Sequence, residues 1–585
     1  MTDPISAPGD GQTFLGPQQR AQAWQRLAHE QFDVVVIGGG VVGAGAALDA
    51  ATRGLKVALV EARDFASGTS SRSSKMFHGG LRYLEQLEFG LVREALYERE
   101  LSLTTLAPHL VKPLPFLFPL TNRWWERPYV AAGIFLYDQL GGAKSVPAQK
   151  HLTKSGALRL APGLKRSSLI GGIRYYDTVV DDARHTMTVA RTAAHYGAVV
   201  RSSSQVVALL REGDRVVGVT LRDSEDGAIT EVRGHVVVNA TGVWTDEIQA
   251  LSKERGRFRV RASKGVHIVV PRDRVVSEVA IILRTEKSVL FVIPWGTHWI
   301  IGTTDTDWNL DLAHPAATKA DIDYILGHVN TVLATPLTHD DIDGVYAGLR
   351  PLLAGESEET SKLSREHAVA VPSPGLVAIA GGKYTTYRVM AADAIDAAAE
   401  YIPARVAPSI TEKVPLMGAD GYFALINQTE FVGKHYGLHP YRVRHLLDRY
   451  GSLIGEVLKM ASDETGAKPD LLEPITDAPV YLKVEAYYAA AAEGALHLED
   501  ILARRMRIAI EYPHRGVDCA REVAEVVAPV LGWTAEDVDR EVATYIARVE
   551  AEVLSQTQPD DESADALRQA APEARAEILE PVPLN

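Results

Sequence analysis

A glycine-rich turn between a predicted strand and a predicted helix constrains the fold more than any other feature. The run VVVIGGGVVGAG at residues 34–45 places Gly38, Gly40 and Gly43 in the pattern G-x-G-x-x-G. The residues before the glycines are apolar and β-branched, as in a buried parallel strand. The residues after the glycines are small, as in a helix packed closely on a sheet. A second strand is predicted at residues 56–60. The chain therefore contains a βαβ unit of the dinucleotide-binding type.

The spacing of these glycines suits a bound diphosphate. Gly38 permits the tight turn, Gly40 lets the diphosphate approach the backbone, and Gly43 lets the helix pack against the strand. Gly39 lies within the same turn, and the helix N-terminus offers unpaired N–H groups. Glu61 ends the second strand, with seventeen residues between it and Gly43; its carboxylate can accept both ribose hydroxyls of an adenosine and would repel a 2′-phosphate. The motif predicts FAD or NAD rather than NADP, without separating the first two.

Two further segments favour a flavin. The first, SGTSSRSSKMFHGG at residues 67–80, is dense in hydrogen-bond donors, although its composition also fits a Ser-rich linker. The second, at residues 381–385, joins a strand to a helix; it is either a simple turn or a place where glycines let the backbone approach a flat ring and the helix N-terminus stabilises negative charge. The predicted cofactor-binding residues are Gly38, Gly39, Gly40, Gly43, Glu61, Thr69, Ser70, Ser71, Ser73, Ser74, Lys75, His78, Gly79, Gly80, Gly382, Lys383 and Thr385.

Composition excludes several classes of protein. With 585 residues, 46% of them hydrophobic, the chain is typical of a globular protein of several domains. Its net charge of −14 argues against a chain built to coat nucleic acid. The single cysteine, Cys519, cannot form an internal disulfide or a multi-cysteine metal site, and no cluster of metal ligands is evident. Signal-peptide features and apolar runs of about 18 residues are lacking, so we expect any membrane contact to lie on the surface.

The composition and the spacing of apolar residues change along the chain. A polar leader with one short helical pattern precedes an α/β unit, which has a β-rich unit threaded through it. Apolar residues then recur at helical spacing, and an acidic, proline-containing tail ends the chain. We predict a flexible leader at residues 1–29, the α/β unit at 30–411 with its β-rich part at roughly 111–174 and 262–345, a helical domain at 412–555 and a flexible tail at 556–585.

Several segments of the chain together match one known family. The glycine turn and the Ser-rich loop form one continuous match, VVVIGGGVVGAGAALDAATRGLKVALVEARDFASGTSSRSSKMFHGGLRYLE. Further matches are YYDTVVDDAR, VVNATGVWTDEI, SKGVHIVVPR, IGTTDTDW, AGLRPLL, GGKYTTYR and LEDILARRMR. With these segments in the family order over about residues 30–550, the chain resembles the FAD-dependent glycerol-3-phosphate dehydrogenases, and the leader and the tail lie outside the resemblance. The resemblance adds Trp244, Thr304 and Asp305 to the predicted cofactor site.

The resemblance implies both a fold and an activity. The fold is like that of D-amino-acid oxidase: an α/β, Rossmann-like FAD-binding domain interleaved with a β-rich substrate domain, then a C-terminal α-helical domain. The activity is oxidation of sn-glycerol 3-phosphate to dihydroxyacetone phosphate by hydride transfer to FAD, with electrons passed to a membrane quinone in glycerol catabolism. We then expect a cytoplasmic protein held peripherally on the inner face of the cell membrane, with no nucleic-acid partner; a homodimer stays open.

The chemistry of this substrate indicates which side chains bind it. A phosphate dianion needs fixed cations, and arginine suits it because its planar fork donates two hydrogen bonds. A histidine suits removal of the hydroxyl proton because it titrates near neutral pH. We favour His78 as this base and His267 for binding, without excluding the reverse. By resemblance, the substrate-binding residues are Arg82, Tyr83, His267, Arg350 and Lys383, and the catalytic residues are His78, His267, Arg350 and Lys383.

Two other patterns each allow two interpretations. Asp181 and Asp182 are paired carboxylates, but YDTVVDDAR is typical of a helix start, where acids cap N–H groups, so we reject an acid/base role for them. Residues 123–129 are basic and aromatic. Such residues favour a membrane interface, and a surface loop with buried tryptophans explains them equally well.

Three other functions compete with the dehydrogenase. An oxygen-using glycerol-3-phosphate oxidase shares all of these motifs. A flavin-binding sensor or assembly protein without turnover is disfavoured, because a binder needs no ring of cations over the flavin. An amine oxidase of the same fold, such as a sarcosine or glycine oxidase, has a substrate without a phosphate and needs fewer cations.

Overall fold

The computed structural model describes residues 14–84, 87–121, 126–141, 145–252, 259–285, 289–354, 366–461, 469–575 and 577–578, with only the backbone of Arg82 and Pro469. Two large sheets and a C-terminal group of helices lie within these ranges. The strands are β1 (Gln31–Ile37), β2 (Val57–Val60), β3 (Met76–Phe77), β4 (Val111–Leu120), β5 (Lys150–Thr153), β6 (Gly171–Val180), β7 (Val199–Arg201), β8 (Ser204–Glu212), β9 (Arg215–Asp223), β10 (Ile229–Asn239), β11 (Val260–Pro271), β12 (Ala280–Arg284), β13 (Val289–Trp295), β14 (His298–Gly302), β15 (Thr306–Trp308), β16 (Gly344–Leu353), β17 (His367–Ser373), β18 (Leu376–Gly381), β19 (Pro474–Ile475) and β20 (Ala478–Leu482).

Helices cover both sheets and make up most of the C-terminal part. They are α1 (Pro17–His29), α2 (Val41–Thr52), α3 (Phe89–Leu101), α4 (Glu126–Gly141), α5 (Lys154–Leu160), α6 (Asp182–His195), α7 (Thr245–Ala250), α8 (Lys319–Val329), α9 (Tyr387–Ala399), α10 (Tyr422–Ile426), α11 (Thr429–Tyr436), α12 (Pro440–Tyr450), α13 (Ile454–Met460), α14 (Lys483–Ala492), α15 (Ile508–Glu511), α16 (Ala520–Leu531), α17 (Ala535–Ser555) and α18 (Asp561–Ala570). Among the described residues, none of these helices has the length and apolarity to cross a bilayer.

The first sheet carries the glycine turn. Its strand order is β17-β18-β10-β1-β2-β7, and the hairpin of β8 and β9 extends from β10. Strand β1 lies parallel between β10 and β2, with Val36 opposite Val238 and Leu59. Its residues 34–37 are all apolar and buried because helices α2, α6 and α9 cover one face and a second apolar cluster covers the other. The carboxyl ends of its parallel strands meet at one edge, the place where such sheets bind ligands.

The second sheet is the β-rich unit predicted from the sequence. Its order is β15-β11-β14-β13-β12-β4-β6-β3, with β16 on β11 and β5 on β6. It draws on residues 76–353 and so extends beyond the predicted bounds of 111–174 and 262–345. On strand β11, His267 lies opposite Gly302 and Tyr346. This pairing brings residues far apart in sequence to one side of the first sheet.

The C-terminal domain consists of helices α10 to α17 and the hairpin of β19 and β20. Two apolar clusters form its interior. Val443, Leu446, Leu447 and Tyr450 recur at helical spacing, and all four are buried on α12. Such a stripe is what an amphipathic helix presents to its neighbours.

The N-terminal helix belongs to the folded body. Helix α1 buries Ala23 and Leu27 in the apolar cluster that covers the outer face of the first sheet. The prediction of a flexible leader at 1–29 is therefore wrong for residues 17–29. A short helix buries few residues, but those two are apolar and lie four apart, on one face.

The C-terminal segment also differs from the prediction of a flexible tail. Helix α18 buries Ala564, and beyond it Arg575 forms an ion pair with Asp500 at 2.9 Å. The described part of residues 556–585 is thus packed against the body. Composition alone suggested mobility because the segment is acidic and contains proline, whereas its contacts are made by buried arginines that pair across the sequence.

Candidate active site

The glycine turn after β1 leaves the N-terminus of α2 open to a cavity. Gly38 has a φ of +109°, a conformation that side chains disfavour. A Cβ at Gly43 would overlap the carbonyl oxygen of Gly38, so α2 approaches β1 this closely only with glycine there. Gly40 precedes the helix without a side-chain cap, and the N–H of Val41 donates to Ser70 Oγ at 2.9 Å. This backbone suits the diphosphate of a dinucleotide.

Two backbone N–H groups hold the Glu61 carboxylate at the end of β2. It accepts hydrogen bonds from Gly39 at 2.6 Å and from Arg63 at 2.8 Å. Burial raises the pKa of Glu61 above its ordinary value, and these hydrogen bonds offset part of the rise. Glu61 also lines the cavity beside the glycine turn. The position suits a carboxylate that accepts ribose hydroxyls with its remaining lone pairs.

A cavity of about 700 Å³ joins the glycine turn to the turn that follows β18. Gly40 and Glu61 line it near the first turn, and Gly382 and Lys383 line it near the second. The predicted Trp244 also faces it. Its volume lies within the range of ligand pockets, and its lining offers a ribose acceptor and a helix N-terminus in the order that FAD needs.

A second cavity, of about 590 Å³, adjoins the first. The two share Thr69, Gly382 and Lys383 in their walls. The fold therefore gathers predicted residues from opposite ends of the FAD-binding half of the chain. The predicted residues that line the second cavity are Thr69, Ser73, Ser74, His78, Gly80, Tyr83, His267, Asp305, Arg350, Gly382, Lys383 and Thr385.

Arg350 lies on β16 with its guanidinium fixed by the turn after β14. Its Nη2 donates to Thr303 Oγ1 at 3.1 Å and to the Thr304 carbonyl at 3.2 Å, and Nη1 lies 3.5 Å from Asp305 Oδ1. Thr304 is buried, and its hydroxyl accepts from the N–H of Val266 at 3.0 Å. Thr304 and Asp305 were predicted to bind the cofactor; in the structure both contact Arg350, and Asp305 also lines the second cavity.

Lys383 bridges the two cavities. Its ammonium lies 3.8 Å from the ring centroid of Tyr83 and 3.4 Å from the carbonyl oxygen of Gly79. A cation over an aromatic face is stabilised there and keeps a fixed position. Arg82 is on the short helical turn beside Tyr83, and its side chain lies outside the described residues.

His267 is held on both sides of its ring. Its Nε2 hydrogen-bonds to Ser74 Oγ at 2.8 Å, and its ring stacks on Tyr346. The Tyr346 hydroxyl donates to the carbonyl of Ser73 at 2.9 Å. Burial lowers the pKa of His267 well below its ordinary value, and the nearby cations of Arg350 and Lys75 lower it further. The imidazole is therefore neutral at pH 7.

His78 lies on the wall of the second cavity near the turn that carries Lys383. Its backbone N–H donates to Thr385 Oγ1 at 3.2 Å, and its ring meets Phe291 edge to face with centroids 6.2 Å apart. The side chain is half-buried, unlike that of His267. Both predicted histidines thus line the same cavity.

Lys75 does not line either cavity. It is fully buried, and its ammonium lies 3.0 Å from Asp182 Oδ1 and donates to the Ser71 carbonyl at 3.0 Å. The side chain of Lys75, predicted to bind the cofactor, turns inward and neutralises a buried carboxylate. Ser71 is likewise directed away from the first cavity.

Asp181 and Asp182 begin α6, as the sequence predicted. The Asp181 carboxylate caps the helix by accepting from the N–H of Arg184 at 3.1 Å. Burial opposes the ionisation of Asp181, but Arg507 and Arg449 outweigh it and hold its pKa well below the usual range. Both acids are ion-paired supports rather than acid/base groups.

Sequence reasoning missed the residues that position Gly79. Its N–H donates to the hydroxyl of Tyr137 at 2.7 Å, which in turn donates to Asp177 at 2.7 Å. Arg99 donates to the same carboxylate at 2.8 Å. Asp177 belongs to the quoted motif YYDTVVDDAR, but nothing in the local sequence indicates that Tyr137 on α4 reaches it.

The basic-aromatic stretch is described only in part. Residues 122–125 lie outside the described residues. Arg127 on α4 donates to the Leu152 carbonyl at 3.1 Å, and Tyr129 is exposed. Among the described residues, no three His, Cys, Asp or Glu side chains form a group able to hold a metal ion.

Two family models match the chain. The model described as "FAD dependent oxidoreductase" matches residues 33–388. The model described as "C-terminal domain of alpha-glycerophosphate oxidase" matches residues 409–538. Between them they cover both the part that holds the two cavities and the helical domain.

Curated relatives and one solved structure are similar along most of the chain. It is 85% identical to glycerol-3-phosphate dehydrogenase 2 of Mycobacterium tuberculosis, over 100% of both chains. It is 36% identical to the mitochondrial glycerol-3-phosphate dehydrogenase of Bos taurus, over 90% of this chain and 74% of that one. The X-ray structure of the glycerol-3-phosphate dehydrogenase from Bacillus halodurans, complexed with FAD, aligns with a TM-score of 0.76 and 29% identity, covering 92% of this chain and 98% of that chain.

Proposed function

The chain belongs to the family of FAD-dependent glycerol-3-phosphate dehydrogenases, and we propose that FAD occupies its larger cavity and the substrate its smaller one. The enzyme oxidises sn-glycerol 3-phosphate to dihydroxyacetone phosphate. The observation that carries the assignment of the cavities is that they meet at Gly382 and Lys383. The flavin ring and the substrate carbon that is oxidised must lie in contact. Gly382 and Lys383 form a wall shared by both cavities, so the two groups can meet there.

The larger cavity fits FAD at each end. Glu61 would hold the adenosine ribose, and the open N-terminus of α2 after Gly40 would hold the diphosphate. The ring system would then lie toward Gly382, whose lack of a side chain leaves room for a flat group. FAD bound here supplies the two-electron acceptor of the reaction.

Two cations would hold the substrate phosphate in the smaller cavity. The guanidinium of Arg350 is fixed by Thr303 and Asp305, so little rotamer freedom is lost on binding. The ammonium of Lys383 is fixed over Tyr83. Preorganised charges of this kind favour a dianion over the neutral alcohol glycerol.

We assign proton removal to His78 and hydroxyl binding to His267. The Nε2 atom of His267 is engaged by Ser74, and burial favours its neutral form, which makes it the weaker base of the two. His78 is half-buried on the cavity wall and can pass a proton to solvent. Neutral His267 would orient the C2 hydroxyl without competing for its proton.

We also propose a quinone acceptor and a membrane-facing surface on α3 and α4. These neighbouring helices expose large apolar side chains, among them Phe89, Tyr97, Tyr129 and Phe135, and Leu87 just before α3 is 71% exposed. A cluster of exposed apolar residues marks an interaction surface. The surface also adjoins the basic-aromatic stretch, which strengthens the case for peripheral contact on the inner face of the membrane.

Anaerobic flavin bleaching tests the substrate assignment. The purified holoenzyme is mixed without oxygen with glycerol 3-phosphate, glycerol or glycine, and the flavin absorbance is followed. We expect rapid bleaching with glycerol 3-phosphate alone. Bleaching by glycine would favour an amine oxidase, and its absence with all three would favour a non-catalytic flavoprotein.

Peroxide yield tests the acceptor. With glycerol 3-phosphate in excess, we expect a soluble quinone analogue to sustain turnover and oxygen alone to give little peroxide. Stoichiometric peroxide would make the protein an oxidase, the activity named in the description of the C-terminal family model.

Membrane contact is tested by vesicle sedimentation of the wild type and of Phe135→Ser. We expect the variant to bind the vesicles less than the wild type does.

A further inference from the structure

A third cavity lies where the tail helix α18 meets the body of the protein. It has a volume of about 110 Å³, several times what one water molecule needs. Arginine dominates its wall, which includes Arg72, Arg504, Arg507, Arg515, Arg548 and Arg568. Among the described lining residues, only Glu499 and Glu552 carry a negative charge.

Two of the arginines are neutralised by carboxylates behind the wall. Arg504 pairs with Asp64 at 2.6 Å and with Asp500 at 2.5 Å. Arg507 pairs with Asp181 at 2.6 Å and also contacts Asp182. These two residues hold the wall together and contribute little excess charge.

Two more arginines share one glutamate. Arg515 Nη1 lies 2.9 Å from Glu552, and Arg568 Nη1 lies 3.1 Å from the same carboxylate. Arg568 is buried, and its Nε has no hydrogen-bond partner among the described residues. One negative charge therefore serves two buried positive ones.

Within the described residues, the remaining two arginines bond only to carbonyl oxygens. Arg72 donates to Ala313 at 3.0 Å, and Arg548 donates to Pro572 at 3.0 Å. In the described part of the chain, neither lies within ion-pair distance of a carboxylate. The Nη2 of buried Arg548 and the Nε2 of Gln556 both lack a hydrogen-bond acceptor there. Unpaired donors in a buried, positively charged cavity are costly unless a ligand satisfies them.

The pKa shifts of these arginines agree with an excess of positive charge in the cavity. Burial lowers the pKa of Arg72 to about 10; attraction to Glu499 opposes the shift, and repulsion from Arg568 and Arg504 adds to it. Burial also lowers the pKa of Arg548 and of Arg515, with repulsion from Arg568, although Glu499 and Glu552 respectively oppose these shifts. A bound anion would reverse these shifts by favouring the charged guanidinium groups.

We propose that this cavity binds a phosphate-type oxyanion through Arg72, Arg548, Arg568 and Gln556. Planar guanidinium forks match the edges of a tetrahedral oxyanion, and the cavity is too small for a cofactor. The anion comes either from inorganic phosphate or from the phosphate group of a small metabolite, the substrate included.

The site also touches the active site. Arg72 lines both this cavity and the proposed substrate cavity. It lies within the Ser-rich loop, and Tyr346, which stacks on His267, lines the third cavity as well. An anion that fixes Arg72 therefore stabilises the loop on which substrate binding depends, besides anchoring α18.

Tungstate, a heavy analogue of phosphate, locates the site directly. Crystals of the holoenzyme are soaked in tungstate, and its anomalous scattering distinguishes this cavity from the substrate cavity by position. We expect a peak within hydrogen-bond distance of Arg548 and Arg568. The absence of a peak there would overturn the proposal.

Thermal unfolding of the holoenzyme in rising inorganic phosphate tests binding in solution. We expect Arg548→Gln to weaken phosphate binding at this site by about tenfold or more, since a charge-assisted hydrogen bond is lost. Gln556→Glu supplies the missing charge and keeps the acceptor that Arg515 uses at 3.1 Å. It should raise the melting temperature without phosphate and abolish the further rise with it, so the test survives if Arg548→Gln misfolds.

Arg540→Gln is the matched control, because Arg540 is exposed on the same helix and pairs only with Asp537 in the described part of the chain. It should respond to phosphate as the wild type does. Equal responses of all variants, or a tungstate peak without any stabilisation in solution, mean an adventitious ion only. In an Arg350→Gln background, phosphate and glycerol 3-phosphate are titrated separately, and the tighter ligand identifies the source of the anion.

Discussion

The imidazole ring of His267 lies flat against the phenol ring of Tyr346, with centroids 4.8 Å apart and 12° between the planes. The two residues are cross-strand partners on β11 and β16. The Tyr346 hydroxyl reaches the Ser73 carbonyl, and the next residue, Ser74, hydrogen-bonds to His267 Nε2. One tyrosine therefore fixes both the histidine and the Ser-rich loop beside it.

Two substitutions of Tyr346 separate its stack on His267 from its hydrogen bond to the Ser73 carbonyl. Tyr346→Leu loses the stack and the hydrogen bond, which together contribute about 1–2 kcal/mol, and we expect KM for glycerol 3-phosphate to rise about tenfold. Tyr346→Phe keeps the stack and should have a smaller effect. Steady-state kinetics at constant FAD content measure both. Equal KM values for the two variants would show that the stack does not position His267.

Gly43→Ala tests the glycine turn as the cofactor site. The added Cβ would overlap the Gly38 carbonyl, so α2 must move away from β1 and its N-terminus from the diphosphate. We expect the flavin content of the purified variant to fall about tenfold or more. Gly327→Ala on α8 is the control, because a Cβ there meets open space. Normal flavin content in Gly43→Ala would contradict the assignment.

Arg350→Lys tests the planar fork at the substrate phosphate. Lysine keeps the charge but cannot reproduce the paired hydrogen bonds to Thr303 and the Thr304 carbonyl that orient the guanidinium. We expect kcat/KM to fall about 100-fold, mainly through KM, while the flavin spectrum stays unchanged. An unaltered KM would place the phosphate elsewhere.

The dinucleotide unit was predictable because a local pattern specifies it. The observed β1, α2 and β2 match the predicted strand, helix and strand, and Glu61 stands at the end of β2 as expected. FAD and the D-amino-acid-oxidase-like fold are confirmed by the family and structure matches. The pattern could not indicate which way a side chain points. Lys75 lies among predicted ligands in the sequence, yet its side chain pairs with Asp182, 107 positions away.

Long-range partners account for the other differences. Gly79 is positioned by Tyr137, which has no motif, and Arg350 is held by Thr304, which was expected to hold the cofactor. The tail was predicted to be flexible because it is acidic and contains proline, yet Arg575 pairs with Asp500, 75 positions earlier. Such pairs form only once the chain has folded, so short sequence windows carry no sign of them.

Lys75→Met tests whether this lysine acts on structure or on the cofactor. Removing the ammonium leaves the buried Asp182 short of one partner, so we expect a loss of about 3 kcal/mol in the free energy of unfolding. The double variant Lys75→Met with Asp182→Asn should recover part of that loss. Thermal unfolding and flavin content are measured together. Loss of FAD from a variant of unchanged stability would restore the cofactor role.

His497 links the first sheet to the C-terminal domain through two carboxylates, and its titration makes that link sensitive to pH. Its Nδ1 lies 2.9 Å from Glu541 and its Nε2 lies 3.1 Å from Glu225. Burial opposes protonation, but the two glutamates outweigh it and raise the pKa of His497 from 6.5 to about 10. The folded state thus holds a proton that the unfolded state releases above pH 6.5. The stabilisation is complete below pH 6.5 and is lost as the pH rises toward 10.

His497→Gln should therefore lower the free energy of unfolding by about 3 kcal/mol at pH 6 and by progressively less at pH 8 and 9.5, measured as the difference in thermal unfolding from the wild type. His435→Gln, at an exposed position, should show no such trend. A difference that stays constant with pH would mean that His497 is neutral in the folded protein.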